Sequence, residues 1–118
     1  MNFDDFELNF KKLKEHKPEF EFVLNPGLEE VVIHKHSKLL NLAIPLDVLQ
    51  FYQRFNGLIT KTPNLEILKM EYWGHISGDK LKFAEINGID ICFKTRQLNS
   101  ADQWTIVNGK TDYEITLT

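Results

Sequence analysis

The chain has 118 residues, a formal net charge of -3 and 42% hydrophobic residues, among them nine Phe, three Tyr and two Trp. That length fits one domain around one compact core, and the large side chains supply enough burial to offset chain entropy. The negative balance removes any global attraction to phosphate backbones or anionic membranes, so neither nucleic acid nor a membrane is an expected partner.

The N-terminal stretch MNFDDFELNF holds Asp4, Asp5 and Glu7 where a secretory leader would carry positive charge before an apolar run. Together with a single cysteine, Cys92, this places the chain in the cytoplasm. No apolar run approaches the roughly 18 residues of a transmembrane helix. Phe3, Phe6, Phe10 and Leu13 fall on one stripe, which predicts an amphipathic first helix. Lys11, Lys12, Lys14, His16 and Lys17 form a basic cluster on it, but Glu7, Glu15 and Glu19 dilute that charge and the aromatic residues belong to the buried stripe. A solvated helix face explains the cluster better than base stacking does.

Pro18 ends this helix, and the alternation of Phe20, Phe22 and Leu24 before Asn25-Pro26-Gly27 predicts a short strand or extended linker. From Leu28 to about Leu40 a second helix is expected, with Leu28, Val31, Val32, Lys35 and Leu39 on its core face. His34 and His36 sit two apart on it and diverge by about 200°, which excludes a shared metal ion. In IPLDVLQFYQRFNGL, Pro45 stands at the first helical position and Asp47 in the first turn. Val48, Leu49, Phe51, Tyr52 and Phe55 form the core side, and Asn56-Gly57 supplies a left-handed exit.

The period then changes to alternation in LEILKMEYW, KLKFAEI and IDICFK, which predicts antiparallel strands. Asn87-Gly88 and Asn108-Gly109 each predict a two-residue hairpin turn. The second hairpin would set Trp104 opposite Tyr113 and Ile106 opposite Thr111, with Trp104, Ile106, Tyr113, Ile115 and Leu117 on the face that meets the helices. Helices gathered before a run of strands give an α+β fold, with N-terminal helices packed on one face of a C-terminal antiparallel meander.

Candidate chemistry is sparse. His75 and Asp79 flank Gly78 in an expected loop, and a His oriented by a carboxylate is a general-base arrangement, but no nucleophile accompanies them. Cys92 lies in a strand on the face opposite Ile91 and Phe93, where a free thiol is ordinarily inert. Neither GxGxxG nor GxxxxGK[ST] occurs, so nucleotide chemistry has no foothold. No cofactor or metal is expected. For protein binding, Tyr72, Trp73 and His75 put large amphipathic rings beside a glycine turn, although Trp73 fits a core cap equally well. Asp79, Glu85, Asp90 and Asp102 add negative potential to the sheet side, which suits a basic partner.

A helix followed by Ile44-Pro45, the acidic Asp47, the aromatic Phe51 and Tyr52, Asn56-Gly57 and then a meandering sheet resembles the SUKH superfamily, which includes the yeast cell-wall synthesis regulator family, Syd and many bacterial toxin-immunity proteins. WGHISGDKLKF, from Trp73 to Phe83, looks like that family's glycine-containing turn into a central strand. The resemblance runs from Leu28 onward. Members commonly finish with a helix after the sheet, whereas this chain ends in what reads as a strand; it is either a short member or a truncated sequence. The resemblance implies a cytoplasmic protein-binding domain that neutralises a cognate toxin, with no catalytic residues carried over. The alternatives are a regulatory interaction domain without a toxin, and a small hydrolase or metal-dependent enzyme using His75 and Asp79.

Overall fold

The computed structural model describes residues 3–115, and of residues 3–7 only the backbone path. Helix α1 runs Phe3–His16. Its end is tied by Lys17 N–H to the Leu13 carbonyl (2.8 Å) and by Lys14 Nζ to the Pro18 carbonyl (2.9 Å). Phe10 docks it against Phe20 and Phe22, with ring centroids 5.8 and 5.5 Å away. The expected roles of Phe3 and Phe6 lie outside the described side chains. The alternating segment that follows is a strand, β1 (Glu21–Pro26), with Phe22 and Leu24 half-buried and Glu21 and Val23 exposed.

Helix α2 (Glu30–Leu40) forms as expected but turns a different face inward. Ile33 is fully buried and Val32, His36, Ser37 and Leu40 are half-buried, whereas Val31 and Leu39 are 69% and 74% exposed. The helix carries two competing stripes. The one that wins buries Ile33 and Leu40 and ends with the Ser37 hydroxyl donating to the Leu42 carbonyl; the other would have drawn the Lys35 ammonium toward the core. Leu28 precedes the helix, its N–H bound to the Tyr52 carbonyl (2.8 Å).

Helix α3 (Leu46–Arg54) starts one residue later than expected: Pro45 is its extended N-cap, and the Pro45 carbonyl accepts the Leu49 N–H. Val48 and Tyr52 are buried and Leu49 and Phe51 partly so, as the period requires. Asn56-Gly57 is not the helix exit. Phe55 is already extended, and β2 (Phe55–Lys61) follows with no intervening turn. Gly57 has φ +81° inside that strand, where an added Cβ would stand 2.4 Å from the Ile67 carbonyl oxygen.

The remaining strands are β3 (Leu65–Ile67), β4 (Gly74–Ser77), β5 (Lys80–Ile86), β6 (Ile89–Leu98) and β7 (Trp104–Asn108). They complete a seven-stranded antiparallel sheet in the order β1-β2-β3-β5-β6-β7, with β4 also paired to β5. The fold is α+β. LEILKMEYW is therefore not one strand. The chain leaves the sheet after Ile67, makes a 3₁₀ turn at Met70–Tyr72, and returns as β4 on the same edge of β5.

Side chains from α3 and β2 force that excursion. The Tyr52 hydroxyl donates to the Leu68 carbonyl (2.7 Å) and accepts from Trp73 Nε1 (2.9 Å). Asn56 accepts the Met70 N–H (2.9 Å) and donates to the Glu71 carboxylate (3.1 Å). Buried polar groups here are satisfied by one another, which the low dielectric makes obligatory.

The Asn87-Gly88 hairpin is as expected, with φ of 49° and 83° at its two residues. The second hairpin is longer than expected. Val107, not Trp104, marks the register, opposite Glu114, and the Asn108 N–H reaches the Tyr113 carbonyl (2.9 Å). Gly109 stays flat against β6, where a Cβ would meet Cys92 Sγ at 3.1 Å, while Asn108 Oδ1 gathers the N–H groups of Lys110 and Thr111. The turn's positive φ falls on Asp112. Trp104, Ile106 and Ile115 still face the core, Tyr113 is exposed, and Leu117 lies outside the described residues.

A bulge between Lys82 and Ala84 lets Leu81, Phe83 and Ala84 all turn inward. There Phe83 stacks on Phe93 at 3.7 Å, and Trp73 meets Tyr52 edge-on at 5.1 Å. All three helices lie on this side: α1 against Phe22, and α2 and α3 against the core cluster.

Replacing Gly57 with Ala is expected to destabilise the fold by at least twice the roughly 1 kcal/mol that the same change costs at Gly88, which has a similar φ but open space around it. Denaturant unfolding of the two variants makes the comparison, and equal losses would refute the close-approach argument. Tyr52→Phe leaves Trp73 Nε1 and the Leu68 carbonyl unpartnered, a loss of about 2 kcal/mol. Burial pushes the Tyr52 pKa well above the tyrosine range, with the Trp73 hydrogen bond opposing the shift and the Glu71 charge adding to it. The folded state thus holds this proton more tightly than the unfolded chain, so its contribution is complete below about pH 10 and is lost as the pH rises further. Wild-type stability should fall more steeply than that of Tyr52→Phe above about pH 10.

Candidate functional site

Strand alternation puts the residues opposite the core on a second sheet face that, among the described residues, the helices leave uncovered. Each short run LEI, AEI and IDI places one acid between two aliphatic residues, so turning the aliphatic pair toward the core side turns the acid outward, although Ile89, at the Asn87-Gly88 turn, is itself 48% exposed. Pairing then aligns these positions into one row: Val23 opposite Ile59, Ile59 opposite Glu66, Glu66 opposite Glu85, and Glu85 opposite Asp90. Val23 and Ile59 are 57% and 41% exposed. The row grades from aliphatic on β1 and β2 to acidic on β3, β5 and β6.

Carboxylates directly opposite one another repel by a few tenths of a kcal/mol to about 1 kcal/mol. Lys82 relieves part of this, its Nζ 2.8 Å from Asp90 and 3.1 Å from Glu85. Those bonds raise the Lys82 pKa, Asp90 foremost, against partial desolvation. Beside Glu66 and Ile59 is a shallow depression of about 250 Å³, lined also by Lys61, Asn64, Glu85 and Asn87.

Beyond Asp90 the face is closed by the Asn108–Tyr113 turn. Gly109 N–H binds the Asp90 carbonyl (2.8 Å), and Lys80 Nζ holds the turn through the Gly109 carbonyl (2.9 Å) and Asp112 (3.2 Å). Cys92 is buried beneath it, and that burial, with the Asp90 charge adding, raises the thiol pKa against the pull of Lys80 and Lys82. A protonated, covered thiol is a poor nucleophile.

Of the residues expected to bind a partner, Glu85 and Asp90 are brought together in the row. Asp79 and Asp102 are not: Asp79 follows Gly78 in the β4–β5 turn, its carbonyl held by Thr95, and Asp102 lies in the β6–β7 connection. Trp73 is a core residue, 6% exposed and bonded to Tyr52, so it anchors the fold and not an interface; its neighbour Tyr72 is 67% exposed. His75 sits on strand β4, not in a loop, exposed and opposite Leu81. No hydrogen bond joins His75 to Asp79 among the described residues, so the histidine lacks the carboxylate that would orient it. His34 bonds Glu30 (3.3 Å) while His36 is turned toward the core side of α2. Among the described residues no group of three or more His, Cys, Asp or Glu is placed to hold a metal ion, and no helix is long and apolar enough to cross a membrane.

Sequence reasoning missed Val23, Ile59, Glu66 and Lys82. The acid-between-aliphatics pattern was the available signal for Glu66; the cross-strand row needs the pairing itself. Compared with known proteins, the chain matches no family model, no curated protein and no solved structure.

Proposed function

We propose that this chain is a protein-binding domain whose uncovered sheet face receives a basic partner. The SUKH resemblance at Ile44, Pro45, Asp47, Phe51, Tyr52, Asn56 and Gly57 directs the proposal to the immunity class: a cytoplasmic protein that occupies and neutralises a cognate bacterial toxin domain. The observation that carries the binding reading is the row from Val23 to Asp90, which pairs exposed aliphatic surface with three carboxylates and one lysine. A partner offering Lys or Arg beside an apolar side chain would bury the first part and neutralise the second. Tyr72, exposed on its 3₁₀ turn, is a separate candidate contact.

The test is co-purification of the tagged chain with the product of the gene immediately upstream, followed by rescue of cells expressing that product. Binding with rescue is expected, with Glu66→Lys weakening it at least tenfold and Leu46→Ala, at an exposed position on α3 away from the sheet face, leaving it unchanged. Failure of binding and rescue sinks the immunity reading for that neighbour. Binding that Glu66→Lys leaves untouched moves the interface off the sheet.

A further inference from the structure

Among the described residues, the fold leaves two exposed faces of opposite character on opposite sides. One is the aliphatic and acidic row on the sheet. The other is the outward face of α2, where exposed Val31 and Leu39 flank Lys35 and Lys38 lies alongside. Lys35 is two residues from buried Ile33, about 200° around the helix, so this face points away from the core and therefore away from the sheet.

We propose that the outward face of α2 in one copy of this chain docks on the open sheet face of a second copy. The spacings match. A helix advances about 1.5 Å per residue, placing Lys35 and Lys38 about 6 and 10 Å beyond Val31. Strands lie about 4.8 Å apart, placing Glu66 and Glu85 about 5 and 10 Å beyond Ile59 along the row. With Val31 seated on Ile59 and the helix crossing the strands, Lys35 meets Glu66 and Lys38 meets Glu85. Glu66 and Glu85 repel each other across β3 and β5, so cations arriving there relieve a strain already present. The helix supplies a second layer on a side of the sheet that has none among the described residues.

Because the two faces lie on opposite sides of the domain, one pair of copies cannot satisfy both contacts. The association is head to tail, growing into a chain or closing into a ring, and is not a symmetric dimer. It goes beyond the immunity reading and requires no second protein. A basic partner using the same sheet face would compete with it.

Sedimentation of the purified full-length chain alone, from about 10 μM to about 1 mM, tests the proposal. At low salt the average mass should rise with concentration, and about 0.5 M NaCl should reduce the association at least tenfold, because exposed ion pairs are screened. Val31→Asp disables only the helix face and Ile59→Asp only the sheet face, with Glu66→Lys as a second sheet variant and thermal melting to check folding. Each variant alone should remain monomeric. Mixing Val31→Asp with Ile59→Asp should restore a one-to-one dimer that grows no further, since each supplies the face the other lacks. Wild-type protein that stays monomeric throughout, association that survives these variants, or a mixture that fails to pair would each overturn the proposal.

Discussion

The buried hydroxyl of Tyr52 is the point on which the arrangement turns. It bonds at once to the backbone of Leu68 and to the indole of Trp73, so one side chain of α3 ties both ends of the segment that leaves and rejoins the sheet. Asn56, four residues on, holds the middle of that segment at Met70 and Glu71. A backbone excursion at the edge of a core exposes carbonyl and N–H groups that must find partners. Tyr52 and Asn56 are those partners. The break between β3 and β4, the inward placement of Trp73 and the outward placement of Tyr72 all follow from them.

This network also explains why IPLDVLQFYQRFNGL packs so much information into so few residues. Apolar side chains of the helix join the core, its Tyr organises the neighbouring segment, and its Asn-Gly enters the sheet instead of ending the helix. Gly57 is required there because the Ile67 carbonyl occupies the space a side chain would need. A dipeptide common at helix exits thus serves a strand, and the difference comes from a neighbour distant in sequence.

The sheet shows the same dependence on long-range pairing. Alternation predicts that acids between aliphatic residues face water, and they do. Whether Glu66, Glu85 and Asp90 then become neighbours depends on the registers of β3, β5 and β6, including the bulge after Lys82 that shifts one strand against the next. The charge gradient across the open face is therefore a property of registration. Lys82 reaches two of the three carboxylates and leaves Glu66 at the junction with the aliphatic part of the row.

Local pattern was sufficient for the α+β class, the three helices, the strand cores of β5 and β6, and the Asn87-Gly88 turn, because periodicity and turn chemistry act over a few residues. It failed where two local solutions were nearly equal. On α2 the Val31–Lys35–Leu39 stripe and the Ile33–Ser37–Leu40 stripe were both available, and the core chose the one without a cation. At Asn108-Gly109 a short turn was expected, but the fit of Gly109 over Cys92 and Asp90 imposed a longer one. Of the expected site residues, Glu85 and Asp90 were legible as outward acids, whereas the fate of Trp73 depended on a hydroxyl more than a helix away. The sequence by itself determined which segments are helix or strand and which side chains prefer water. Only the tertiary structure decided which of them meet, because register and helix rotation are set by packing between residues far apart in the chain.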